Sequence, residues 1–459
     1  MRLANVKLIL AMIAGLGIFS SCQKNIQDAF AAATSPADTA TTARDKIKDS
    51  ALLYARDIYL WYNQIPASFN AQSYSDPNTI METIRASSQE TGFSTPVDKW
   101  SFAAKQQDWD NMRSGVSQDF GLNIFFRASN DLRVKLVEKE SPAGKAGVRR
   151  GWRITKVNGS TNVTTTNTDF LISNIFESSS TSFTFQKPDG STADITLNAS
   201  TYKEHPVILD SVYTSGTKKV GYLAFNSFLG DTTEMYNNFQ RIFNRFSSES
   251  IQDVIVDLRY NGGGYVTVQE KLANYLINAG GNGNIMMTQK YNDKYTQFND
   301  ISRFKKLGSL NLSRVFFIVS NNTASASELL INNLKPYMEV KLVGPSNTYG
   351  KPVGFFPIPV GEWYVFPVSF RTINKNGEGN YFNGIPIDNK AADGFDKDWG
   401  DASEACLASA LSYINTGAFR TMSAENAARY EADPLIEKSN LKFEEPSFKG
   451  TIASKRLLE

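Results

Sequence analysis

Three short stretches of this chain place hydroxyl, amine and backbone amide groups where a covalent reaction is chemically feasible. The first is Asn322-Thr323-Ala324-Ser325-Ala326-Ser327-Glu328, between the apolar run Val315-Phe316-Phe317-Ile318-Val319 and a helical pattern that reaches Leu334. A hydroxyl on such a strand-to-helix corner sits at the positive end of a helix dipole, which favours an anion formed there. The same residues admit a second role, because Ser325-x-x-Glu328 fits a capping box worth about 1 kcal/mol of helix stability. On spacing alone the cap is the simpler account, and the two roles are compatible. The second stretch is Thr348-Tyr349-Gly350-Lys351-Pro352-Val353-Gly354. A lysine acts as a general base once its amine is neutral, which burial or nearby positive potential promotes. Lowering its pKa by roughly three units costs about 4 kcal/mol, and most lysines are instead solvated surface cations. The third stretch, Asp257-Leu258-Arg259-Tyr260-Asn261-Gly262-Gly263-Gly264, ends an apolar strand. Its glycines let backbone N–H groups approach a ligand closely enough to stabilise an oxyanion. On the glycines alone a plain strand-to-helix turn is the better account.

Composition narrows the chemistry. The chain has 459 residues, 41% apolar and 20% charged, with 48 Lys+Arg against 46 Asp+Glu, so no basic surface argues for nucleic acid as a partner. A single histidine, His205, and two cysteines, Cys22 and Cys406, are too few for a His/Cys-rich zinc centre, and no metal site is expected. His205 precedes Pro206 in a stretch without other chemical features, and a partly exposed linker histidine is the simplest reading. Cys406 lies in a small-residue helical pattern and reads as a buried, inert thiol.

The elements that must position these groups follow from patterning. Residues 1–22 resemble a secretory signal: Arg2 and Lys7 precede a short apolar run that ends in Phe19-Ser20-Ser21-Cys22. That ending resembles a bacterial lipobox and marks Cys22 for lipid attachment, which implies a membrane anchor in the bacterial cell envelope. Residues 23–44, rich in Ala, Thr, Ser and Asp, are expected as a flexible tether, and residues 45–115 as an N-terminal helical module on the spacing of Ile47, Leu52, Ala55, Ile58 and Tyr62. Short strands with turn punctuation fill 116–202. Residues 203–420 alternate strands and helices, predicting a layered α/β core, and 421–459 are charged and weakly patterned, expected as a peripheral tail.

Two resemblances sharpen this outline. Ser141-Pro142-Ala143-Gly144-Lys145-Ala146-Gly147-Val148, followed by Gly151-Trp152-Arg153-Ile154-Thr155-Lys156-Val157-Asn158-Gly159, closely resembles a circularly permuted PDZ domain of bacterial proteases. In such domains the amides of a loop like Phe120-Gly121-Leu122 hold a peptide carboxylate while the chain-end adds as a strand. Asp257-Leu258-Arg259-x-Asn261-x-Gly263-Gly264, then Thr323-Ala324-Ser325-Ala326-Ser327-Glu328, then Tyr349-Gly350-Lys351, with a late Gly384-Ile385-Pro386-Ile387-Asp388, resembles the C-terminal processing, or tail-specific, peptidases of the S41 type.

The resemblance implies a multidomain α/β fold: an N-terminal helical module, a PDZ domain and a crotonase/ClpP-like α/β peptidase core. It also implies Ser325 as nucleophile, Lys351 as general base, and the amides of Ala326 and Gly263 as oxyanion hole, acting on polypeptide substrates without a cofactor. Lys351 follows Ser325 at one residue more than the usual spacing. Phe355 stands where the best-known branch has a glutamine four residues after the lysine, so another group is expected to orient Lys351. A peptidase-like lipoprotein that only binds ligands through its PDZ groove or core cleft is the alternative. An acyl-CoA enzyme on the same broad scaffold lacks any nucleotide-binding cue.

Overall fold

The computed structural model describes residues 41–421, 434–444 and 449–453. Cys22, the apolar run before it and most of the expected tether lie outside the described residues. Contacts divide the chain into Met1–Lys46 and Ile47–Glu459, and the architecture below is that of the second unit.

A six-stranded sheet forms the central scaffold. Its order is Asn389–Lys390, Glu339–Gly344, Arg314–Ile318, Asp253–Asp257, Lys218–Phe225 and Val207–Ser215, parallel throughout except for the last, antiparallel pair. The inner strands read as unbroken apolar runs because both faces are covered. Val254, Val256, Val315 and Phe317 face the helices Thr232–Ser248, Val266–Leu276 and Ala326–Leu334, whereas Ile255, Phe316 and Ile318 face Cys406, Leu407 and Ala410 of the helix Ala405–Thr416. Cys406 is a buried free thiol, as expected.

Residues 122–198 form a five-stranded antiparallel sheet in the order Leu122–Ala128, Asp131–Val137, Arg153–Val157, Ser180–Gln186 and Thr192–Asn198. The short helix Pro142–Lys145, capped by Ser141, and the helix Thr168–Ile175 accompany it. The strand Leu122–Ala128 is an edge of this sheet.

Three expectations need correction. The first helix runs from Thr41 to Ile58 and so begins inside the stretch expected as tether. Ala51, Ala55 and Ile58 pack this helix into the core, and extending a formed helix by a turn costs far less than starting one. The N-terminal residues are mostly helical, but they also contribute a strand and share their core with later residues. Phe102–Lys105 is a strand paired with Trp363–Phe366, and Tyr59, Trp61, Ile80, Trp100 and Trp109 share one core with Phe355, Phe366 and Phe370. Finally, the described parts of the tail are not peripheral. The helix Pro434–Glu444 packs on the strand Leu122–Ala128 through Phe443, and Gly450–Ile452 pairs in parallel with Gly263–Tyr265.

Candidate active site

Ser325 stands at the corner between the strand Arg314–Ile318 and the helix Ala326–Leu334, fully buried, with φ 62° and ψ −112°. A residue with a Cβ rarely occupies that region, and holding it there costs about 1–3 kcal/mol. The loop around it over-determines the conformation. Ala324 N–H donates to Asn261 O at 3.0 Å, Ser327 Oγ donates to the same carbonyl at 3.0 Å, and Thr323 Oγ1 donates to Leu258 O at 2.8 Å. The serine loop is thereby laced to the glycine loop, and a Cβ on Gly263 would lie 2.9 Å from Ser325 Cβ, so only glycine fits there.

The glycine loop hangs on a buried charge network. Arg259 contacts Asp257 and Asp393 at 2.7 Å and Glu404 at 2.9 Å, and Asp393 also pairs with Arg150 from the five-stranded module. The carboxylates hold the Arg259 guanidinium above its ordinary pKa despite burial, and the two arginines hold the Asp393 carboxyl below its own. This arginine is the one in the Asp-Leu-Arg motif, so the motif's charge is structural.

Lys351 is buried as well. Its Nζ lies 3.9 Å from the centre of the Phe355 ring and 5.6 Å from that of Trp100, and donates to Lys449 O at 2.9 Å. Desolvation drives its pKa well below the ordinary lysine value, against the opposing fields of Asp98 and Glu328. Phe355 and Trp100 thus line the amine, in the place where the sequence offers no glutamine. Gly350 before it has φ 98°, and a Cβ there would meet Phe382 O at 2.3 Å. Ile385 N–H donates to Thr348 Oγ1 at 2.6 Å, so the late Gly384–Asp388 element braces the lysine loop.

Glu328 joins the two loops. Its Oε2 accepts from the amides of Ser325 and Lys351, each at 2.8 Å, and its Oε1 accepts from Gly350 N–H and Thr348 Oγ1, each at 2.6 Å. Burial raises its pKa and these four donors oppose the shift. Sequence spacing showed Glu328 only as a cap partner. Its contacts to the lysine loop carry no local signal.

The backbones of Ser325 and Lys351 thus meet on Glu328, with Gly263 against Ser325, while the Ser325 hydroxyl bonds to Thr451 Oγ1 and the Lys351 amine to Lys449 O. Ala326 is the first residue of the helix, while the Gly263 amide donates to Asn261 Oδ1 at 3.0 Å in this arrangement. Phe120, Gly121 and Leu122 lie in the five-stranded module. Gly121, at φ 74°, donates its N–H to Asp119 Oδ1 at 2.6 Å, and Phe120 and Leu122 are buried. The loop borders a cavity of about 410 Å³ that reaches Gly262, Asn322 and Lys449. Glu138 in its wall is pushed up to about 7 by burial and by the charge of Glu204. His205 is elsewhere, held by Glu234 through Nδ1 at 2.6 Å, and that bond raises its pKa.

Residues 219–389 match the model of peptidase family S41, and residues 47–102 match that of the peptidase S41 N-terminal domain. A probable CtpA-like serine protease of Staphylococcus aureus (strain bovine RF122 / ET3-1) is 27% identical over 259 residues, 56% of this chain and 49% of that one. The carboxy-terminal processing protease CtpB of Bacillus subtilis (strain 168) is 24% identical over 301 residues, 64% of this chain and 58% of that one. The chain thus spans about half the length of the curated relatives it matches. A putative S41 protease from Bacteroides fragilis shares the fold, with TM-score 0.66 and 23% identity over 83% of this chain and 98% of the other.

Proposed function

From the premise that the chain belongs to the C-terminal processing peptidases of family S41, we propose that it is a serine endopeptidase that cuts unstructured or C-terminal regions of exported polypeptides. In this reading Ser325 is the nucleophile and Lys351 the base. The neutral amine takes the hydroxyl proton as Oγ attacks the scissile carbonyl. The proton passes to the leaving amine, an acyl-enzyme forms, and water activated by the same lysine releases it. Ala326 N–H, with Gly263 N–H once turned from Asn261, stabilises the oxyanion. The 122–198 module acts as a PDZ domain and presents the polypeptide. A lipid on Cys22 holds the enzyme to a membrane of the cell envelope.

The observation that carries the reading is the pairing of a strained, buried serine with a desolvated lysine on one carboxylate oxygen. Treatment with a fluorophosphonate after mild displacement conditions, followed by peptide mapping, tests it. An adduct on Ser325 is expected. An adduct on Ser327 instead, or on neither residue under any condition, defeats the assignment.

A further inference from the structure

We propose that the C-terminal segments 434–444 and 449–453 are a built-in plug that fills both peptide sites of the enzyme, so that substrate enters only when the plug leaves. The inference rests on the Ser325–Lys351 reading above.

In the catalytic cleft the plug takes a strand position. Gly450, Thr451 and Ile452 pair in register with Gly263, Gly264 and Tyr265, and Gly450 N–H donates to Gly262 O at 3.0 Å. On the other side Phe355 N–H donates to Thr451 O at 3.0 Å and Ala453 N–H to Phe355 O at 3.2 Å. This is strand addition between two backbone edges, the mode by which an extended polypeptide is held in a groove. The reactive groups are occupied too. Thr451 Oγ1 is hydrogen-bonded to Ser325 Oγ, and Lys449 O accepts the Lys351 amine.

The plug is seated so as to resist cleavage. The Thr451 carbonyl is committed to the Phe355 amide, and the Gly263 amide is turned to Asn261. A side-chain hydroxyl, not a carbonyl carbon, meets the serine.

The five-stranded module is filled by the preceding helix. Phe126 N–H donates to Asn440 Oδ1 at 2.7 Å and Asn440 Nδ2 donates to Phe126 O at 3.0 Å, which reproduces with one side chain the bond pair an added strand makes to an edge. Phe443 stacks on Phe126, and Thr168 Oγ1 donates to Ser439 Oγ at 3.1 Å, which sets the helix between the edge strand and the helix Thr168–Ile175. Both grips belong to one chain, so the plug acts at high effective concentration, and a substrate must outcompete it.

The test uses the full chain and two variants, Thr451→Arg in the cleft and Asn440→Ala, whose side chain bonds to Phe126 in the module. Fluorophosphonate labelling of Ser325 and thermal unfolding are measured for all three forms. We expect labelling at least tenfold faster in both variants, with unfolding still cooperative. Equal rates in wild type and folded variants would overturn the plug and leave the nucleophile standing. Acceleration in Thr451→Arg alone would overturn the role of the helix. Absence of labelling in every form would defeat Ser325 itself. Failure of both variants to fold would mark the segments as structural and overturn the proposal.

Discussion

The backbone amides of Ser325 and Lys351 donate to the same atom, Oε2 of Glu328, at the same distance of 2.8 Å. Two loops from different strands are registered by one buried carboxylate, with Thr348 and Gly350 on its other oxygen. Glu328→Gln keeps the shape but leaves one acceptor oxygen where there were two and turns an NH₂ toward donors. Each buried polar group left unsatisfied costs about 1–3 kcal/mol. The expected outcome is a loss of about 2–4 kcal/mol in urea unfolding, with kcat reduced more than KM is raised. Unchanged kcat in the folded variant would show that Glu328 holds the helix cap and nothing more.

Lys351 makes a prediction about pH. Burial depresses its folded-state pKa, so between that value and the unfolded value of about 10.4 the unfolded chain binds the extra proton. Stability therefore rises with pH across that window, by about 1.4 kcal/mol per unit, and is lost as pH falls toward the folded pKa. Lys351→Met has no proton to lose. It should be inactive, more stable than wild type at pH 7, and flatter in stability against pH. Denaturant titrations from pH 6 to 10 check this, and a slope equal to that of wild type would mean that Lys351 keeps its proton on folding.

Much of this architecture is legible in the sequence, for physical reasons that differ by residue. Val254, Ile255 and Val256, like Val315, Phe316, Phe317 and Ile318, are buried on both faces, so their apolar runs announce central strands. Lys351 follows a position where φ 98° calls for glycine, so Gly350 marks its loop, whereas Ser325 holds a positive φ that argues against any Cβ and was legible only through its motif. Phe102–Lys105 escaped because its partner, Trp363–Phe366, is distant in sequence and four residues carry no period. Gly450–Ile452 escaped for the same reason: three residues become a strand only by pairing with Gly263–Tyr265 and Phe355. Lys351 lacks the expected glutamine, and its setting became legible only when Phe355 and Trp100 were seen around the amine.

Arg259 touches neither candidate catalytic group, yet its loss should be severe. It contacts Asp257, Asp393 and Glu404 from within the core, and removing one member of a buried ionic cluster leaves charges uncompensated. Arg259→Met is expected to cost about 3–5 kcal/mol, read as a shift of the urea midpoint. A change below about 1 kcal/mol would show that the three carboxyls neutralise without penalty.

The strain at Ser325 separates a nucleophile from a cap. A serine that serves only to cap its helix loses a few tenths of a kcal/mol on replacement by glycine. At φ 62° and ψ −112° the side chain is instead held in a region open to glycine, so Ser325→Gly releases strain of about 1–3 kcal/mol, offset in part by the greater freedom of glycine in the unfolded chain. The expected variant is inactive and more stable than wild type by about 1 kcal/mol. Ser325→Ala keeps the strained backbone and should be inactive without that gain. Ser327→Ala removes one bond to Asn261 O, should cost about 1 kcal/mol, and should retain turnover. Thermal unfolding and cleavage of an unfolded protein substrate, measured on all three, decide the matter. A destabilised Ser325→Gly would mean that the corner is relaxed and the serine a cap, whereas loss of activity only at Ser327 would move the nucleophile two residues along the chain.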